Sequence, residues 1–142
     1  MLPKQCLGLL WYPGKVVNIP SELKYTKSHE WVKIEGDTAV IGITDHAQSE
    51  LGDVVFVDLP SPGRIVQAEE SFGTVESVKT VSDLYAPIAG EVLEVNDMLG
   101  AQSELVNSDP YGNGWLLKIK IADGTSLDGL LSAEGYEASL DN

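Results

Sequence analysis

Apolar residues recur at every second position in short runs from Glu30 to the end of the chain, the pattern of strands with one buried face. "EWVKIEGDTAVIGIT" holds two such runs around Glu35-Gly36-Asp37. Val32 and Ile34 alternate with Lys33 and Glu35, and Ala39, Ile41 and Ile43 then share a face. A turn centred on Gly36 and Asp37 makes this a hairpin, because glycine supplies the positive φ that tight turns need. "TDHAQSELG" reads as a helix, with Asp45 as its cap, Gln48 three residues on and Gly52 as its stop.

"DVVFVDLP" is a further strand, closed by Pro60. "SPGR" is a turn, "IVQA" a short strand and "EESFG" a second turn. Val75–Val78 and Val81–Tyr85 read as strands with Lys79 and Thr80 between them, and "PIAG" bends the chain before the strand "EVLEVN". "GAQSELVN" holds a short helix. In "WLLKIKIA", residues Trp115, Leu117, Ile119 and Ile121 share one side. Leu127, Leu130 and Leu131 have helical spacing, and Ser132 caps a final helix toward Leu140. Many short strands with turn signals every eight to twelve residues predict a mainly β sandwich or barrel, and nothing alternates strand with helix as a parallel sheet would.

Length permits one domain. "MLPKQCLGLLWYPGKVV" is too short and too interrupted for a signal peptide, and it lacks the arginines of a mitochondrial transit peptide. Residues 1–17 are therefore expected to be a leader or extension outside the fold, and residues 18–142 the domain. The net charge of −13 disfavours nucleic acid and anionic membranes and favours partners with basic patches. A single cysteine excludes an internal disulfide. His29 and His46 lack ligand-spaced neighbours, so no metal site is expected. His29 is expected beside Trp31, and His46 on an exposed helix turn. No G-x-S-x-G elbow and no phosphate loop leading into a helix occurs. The chain is therefore not expected to be an enzyme.

Lys79 stands out. A two- or three-residue turn would hold it at a hairpin tip, away from both sheet faces. Taken alone, such a lysine is a solvated edge charge that discourages strand addition. The proline–glycine bend and the strand that follow it match the layout of proteins that carry lipoate or biotin on a lysine. "SHEWVKIEGD", "IGITDHAQSELGDVVFVDLP", "GTVESVKTVSDLYAPIAGEVLEVN" and "LVNSDPYGNGWLLKIK" together resemble the H proteins of the glycine cleavage system, in one register from about Asn18 to the C-terminus. Biotin carriers flank their lysine with methionines, whereas Val78 and Thr80 stand there, so biotin is disfavoured.

The resemblance implies a lipoyl/biotinyl-type hammerhead β-sandwich. Its short helices follow the first hairpin, precede the long C-terminal strand and close the chain. The resemblance also implies lipoate covalently bound to Lys79, with Glu76, Ser77 and Val78 as the flank read by a lipoate ligase or lipoyl/octanoyl transferase. Glu30 and Asp83 would line a cleft that parks the loaded arm. The implied partners are glycine decarboxylase (P protein), aminomethyltransferase (T protein) and dihydrolipoamide dehydrogenase (L protein). The implied role is to carry the aminomethyl group of glycine between the first two and the dithiol to the third, as a monomeric carrier in a bacterial cytoplasm or, alternatively, a mitochondrial matrix. Two other readings stay open: a relay that hands lipoate to other dehydrogenases, and an unmodified interaction module.

Overall fold

The computed structural model describes residues 9–12, 15–122, 124, 127 and 129–140, with side chains from Ile19 onward. Strands β1 (Leu9–Tyr12) and β2 (Lys15–Asn18) pair antiparallel as a two-stranded ribbon that joins neither of the other sheets. They fall within or against the expected leader, whose residues 1–8, 13 and 14 lie outside the described residues.

The alternating runs form the expected strands. β3 (Lys24–Tyr25), β4 (Glu30–Glu35) and β5 (Thr38–Ile43) open a six-stranded sheet in the order β3-β4-β5-β11-β10-β7. The hairpin between β4 and β5 turns at Gly36, whose φ is 67°. β7 (Ile65–Val66), β10 (Gly90–Val95) and β11 (Leu117–Ile121) complete the sheet, and β11 joins the N-terminal hairpin to the C-terminal half. A separate three-stranded sheet has the order β6-β8-β9, from Val54–Asp58, Ser71–Ser77 and Val81–Tyr85. The fold is mainly β, as the alternation predicts.

The two sheets share one core. Val32, Ile41, Ile119 and Val92 meet Val57, Val75, Phe72 and Leu84 in a single buried cluster. A second cluster gathers Trp31, Tyr25, Tyr136 and Leu140, where α3 (Ala133–Leu140) packs beside β3 and β4. Tyr25 and Tyr136 stack with ring centroids 4.8 Å apart. The Trp31 indole fits because position 42 has no side chain. A Cβ on Gly42 would sit 2.6 Å from the ring, and the indole N–H instead donates to the Pro110 carbonyl at 2.9 Å.

Several local expectations change. α1 (Asp45–Leu51) is capped by Thr44, whose hydroxyl accepts from the Ala47 amide; Asp45 lies in the first turn, where its carboxylate accepts from the Gln48 side chain. Extended backbone at Thr44 puts its hydroxyl where the free amides point, so the cap falls one residue earlier. Ser71–Gly73, expected in a turn, belong to β8, because Phe72 is drawn into the core. Trp115 and Leu116 precede β11, and a 3₁₀ turn over Asp97–Gly100 comes before α2 (Leu105–Ser108). Ser132 does cap α3, accepting from the Gly135 amide at 3.1 Å. Leu131, read as part of a helical face, pairs instead with Tyr25 as an isolated β-bridge, while Leu127 and Leu130 pack on the main core. No helix among the described residues is long and apolar enough to cross a membrane.

Candidate functional site

β8 and β9 pair antiparallel, and the chain between them holds Lys79 at the tip. The turn is tied from inside. The Ser77 amide donates to the Thr80 carbonyl at 2.8 Å, and the Ser77 hydroxyl accepts from the Lys79 and Thr80 amides at 3.3 and 3.2 Å. It is also tied from below, because the Val78 amide donates to the Asp53 carbonyl at 3.0 Å. Lys79 itself is exposed, and no ion pair among the described residues engages its ammonium.

The lysine stem rests on a prepared surface. A Cβ on Gly52 would lie 3.5 Å from Lys79 Cε, so the aliphatic chain runs over the bare α-carbon that ends α1. Gly52 has φ 81°, a conformation that suits glycine, and its amide donates to the Gln48 carbonyl. The Asn107 side chain holds this corner from α2. Its amide donates to the Gly52 carbonyl at 2.8 Å and to Gln48 Oε1 at 3.0 Å, and its oxygen accepts from the Val54 amide at 2.8 Å. Three elements thus converge under one exposed amine.

Of the three flanking residues expected to be read by a ligase, Glu76 and Val78 are exposed. Ser77 is buried, and its hydroxyl is engaged in the turn, so it shapes the tip.

A cleft of about 370 Å³ opens one residue beyond the lysine, between β9, the start of β4 and α1. Glu30 and Asp83 both line it, and His29, His46 and Glu50 join them there. Asp83 is exposed at the rim, near the Tyr85 hydroxyl. Glu30 is different, with only 2% of its surface exposed. One of its carboxylate oxygens accepts from both Thr26 and Ser28 hydroxyls at 2.6 Å. The other receives, among the described residues, only the Tyr85 amide, at 3.5 Å. Burial pushes the Glu30 carboxyl above the usual carboxylate range, while the Ser28 and Thr26 hydroxyls and the Tyr85 amide pull it back. Among the described residues no ion pair engages this carboxylate. A larger hollow of about 680 Å³ lies on the other side of Ser28 and Glu30, along Tyr85 and Pro87, and does not reach the turn.

The histidines depart from expectation. His46 is 8% exposed and not on an open helix turn, and His29 packs on it, with ring centroids 4.9 Å apart, not beside Trp31. The cause is the backbone: His29 has φ 73°, which swings its ring toward α1 and α3. Its Nδ1 lies 2.8 Å from the Tyr136 hydroxyl, which also meets the Thr44 hydroxyl at 2.7 Å. Burial first, and then the neighbouring His46, lower the His29 pKa, against an opposing pull from Glu50. Among the described residues no cluster of three or more His, Cys, Asp or Glu side chains is arranged to hold a metal.

Residues 23–142 match the family profile described as "Glycine cleavage H-protein". The chain is 57% identical over 122 residues to the glycine cleavage system H protein of Bacteroides fragilis, covering 86% of this chain and 97% of that one. It is 59% identical over 122 residues to the corresponding protein of Chlorobium phaeobacteroides, covering 84% and 95%. The crystal structure of a glycine cleavage system H protein from Mycobacterium marinum superposes with a TM-score of 0.78 at 41% identity, over 87% of this chain and 100% of that one.

Proposed function

The chain belongs to the glycine cleavage H-protein family, and on that premise we propose that it is a lipoyl carrier whose arm is attached to Lys79. It is a carrier component and not itself the catalyst. One observation carries the reading: Lys79 is the lone exposed amine of the β8–β9 tip, its stem over Gly52, and the cleft that Glu30 and Asp83 line begins at the next residue, Thr80. The domain is taken as residues 18–142.

An amide at Nζ removes the ammonium and adds a long arm ending in a cyclic disulfide, which supplies the electron-accepting chemistry when bound. The rigid turn presents the amine to a lipoate ligase or a lipoyl/octanoyl transferase. Glycine decarboxylase then loads an aminomethyl group, and a tetrahydrofolate-dependent aminomethyltransferase removes it. Dihydrolipoamide dehydrogenase reoxidises the dithiol. Tethering gives the arm a high effective concentration at each docked enzyme. Glu30, with one oxygen lightly held, and Asp83 at the rim are the residues that would hold a cationic amine carried on such an arm, in a cleft that would limit attack by water. The bacterial relatives favour a bacterial cytoplasm as the compartment.

Intact mass of protein from cells able to make and attach lipoate tests the reading, followed by mapping of the peptide spanning residues 73–96. One lipoyl group on Lys79 is expected. Unmodified protein from such cells, or lipoate on another lysine, would overturn it.

A further inference from the structure

The three-stranded sheet has an inner and an outer side. Val57, Val75 and Leu84 face the core. Phe56, Glu76 and Val81 stand opposite one another across β6, β8 and β9 and are all exposed. Asp58, Thr74 and Asp83 form the next such row, two residues farther from the tip and so about 6.6 Å away.

The pairing of β6 with β8 shifts between Val54 and Phe56. This bulge puts two consecutive side chains, Val55 and Phe56, into solvent, at 50% and 54% exposure. Val78 and Val81 on either side of Lys79 are 69% and 62% exposed. These four are half of the eight large apolar side chains exposed among the described residues, and they surround a single turn. No solvation argument places them there. A bulge that turns a phenylalanine outward beside a solvated lysine suits a surface that another protein covers.

The same face is acidic. Asp58, Glu76 and Asp83 are exposed on it, and β6, β8 and β9 carry no lysine or arginine. Lys79 is the one basic residue between Arg64 and Lys118. A complementary partner therefore has an apolar recess for Phe56, rimmed by cations.

Reach selects among partners. An enzyme that acylates Nζ must bring its reacting atoms to a point four methylenes from the backbone, so its surface closes over the turn. An enzyme acting on the disulfide end of an acylated arm works far from the turn and need not touch it. We propose that the outer face of β6–β8–β9, with Phe56 as its anchor, is the docking surface for the enzyme that acylates Lys79. This rests on Lys79 being the attachment lysine. In that reaction the lysine nitrogen forms an amide with the carboxyl carbon of an acyl adenylate made from lipoate and ATP; AMP leaves, and the ammonium gives up two protons.

The test uses unmodified protein with a purified lipoate ligase, lipoate and ATP, scored by mass. Phe56→Ser is expected to raise the KM for the carrier about tenfold with kcat within twofold, the loss typical of a buried aromatic anchor. Phe56→Leu recovers most of that loss. Asp58→Asn flattens the rise of KM with added salt. Thermal unfolding of each variant near the wild-type midpoint separates docking from folding, and Val81→Ser repeats the test if Phe56→Ser is destabilised. Once lipoylated and chemically reduced to the dithiol, Phe56→Ser is reoxidised by dihydrolipoamide dehydrogenase at the wild-type rate. A KM within twofold of wild type for both serine variants overturns the proposal, and so does an equal loss with the dehydrogenase. Wild-type protein that takes no lipoate overturns the assignment of Lys79 instead.

Discussion

The side-chain amide of Asn107 donates to the Gly52 carbonyl at 2.8 Å, and the Lys79 stem lies over the same Gly52. A residue of α2 thus sets the height of a lysine that stands on a hairpin of another sheet. The link continues through the Val54 amide to Asn107 and through the Asp53 carbonyl to the Val78 amide.

Asn107→Ala removes three side-chain hydrogen bonds and leaves the Gly52 carbonyl and the Val54 amide without them. The expected cost is roughly 2–4 kcal/mol, measured by urea unfolding. The turn should loosen with it. Amide exchange at Val78 is expected to accelerate more than exchange in β4 and β5, and lipoylation to slow in kcat. Uniform acceleration across both sheets would show that Asn107 only stabilises the fold.

Lys79→Arg keeps the positive charge and should leave the melting temperature unchanged, because the side chain is exposed and makes no ion pair among the described residues. It should accept no lipoate, since a guanidinium stays protonated at neutral pH and is not a usable nucleophile. A lipoyl mass shift on this variant would place the attachment elsewhere.

The strands, the first hairpin and the lysine tip were legible because period two and glycine turns are local signals. Val75 and Leu84 had to face one way wherever the chain went. Two rows across the three-stranded sheet were not legible, because register and the bulge at Val55 depend on pairing between distant segments. The cleft was half visible. Family motifs singled out Glu30 and Asp83, yet the pairing of His29 with His46 depends on a positive φ at His29, an uncommon conformation that no local pattern marks. Asn107 sits in an ordinary polar stretch, and nothing local distinguishes it from a solvated asparagine.

His29 titrates below its ordinary value, chiefly because it is buried, and His46 beside it adds repulsion. Its folded pKa lies below its unfolded one, so the unfolded chain binds the proton more readily and acid favours unfolding. The contribution is complete above about pH 6.5 and is lost as pH falls through the lowered folded value. His29→Asn tolerates the positive φ and can still reach the Tyr136 hydroxyl. Its melting temperature should fall less between pH 7.5 and 5 than that of wild type. Parallel curves for the two proteins would remove His29 as the source of that acid sensitivity.

Glu30 has the opposite sign and the most direct bearing on the carrier role. Its carboxyl is raised by burial, so the folded protein holds the proton more readily than the unfolded chain. Ionised Glu30 therefore costs stability, a cost that is absent below about pH 4.3 and grows as pH rises through the folded value. Glu30→Gln removes the charge, while the glutamine carbonyl still accepts from Thr26 and Ser28. At pH 7 this variant should unfold at a higher temperature than wild type, and the gap should close as both are acidified toward pH 4. Its lipoylation should be normal, because Glu30 lies beyond the turn. The loaded arm should nevertheless lose its aminomethyl group several-fold faster, because a neutral amide replaces the charge-assisted partner of the amine. Asp83→Asn should show the same loss without the gain in stability, since Asp83 is already solvated at the rim. Equal decay rates in wild type and both variants would mean that neither carboxylate holds the arm. Faster decay in Asp83→Asn alone would confine the contact to the rim.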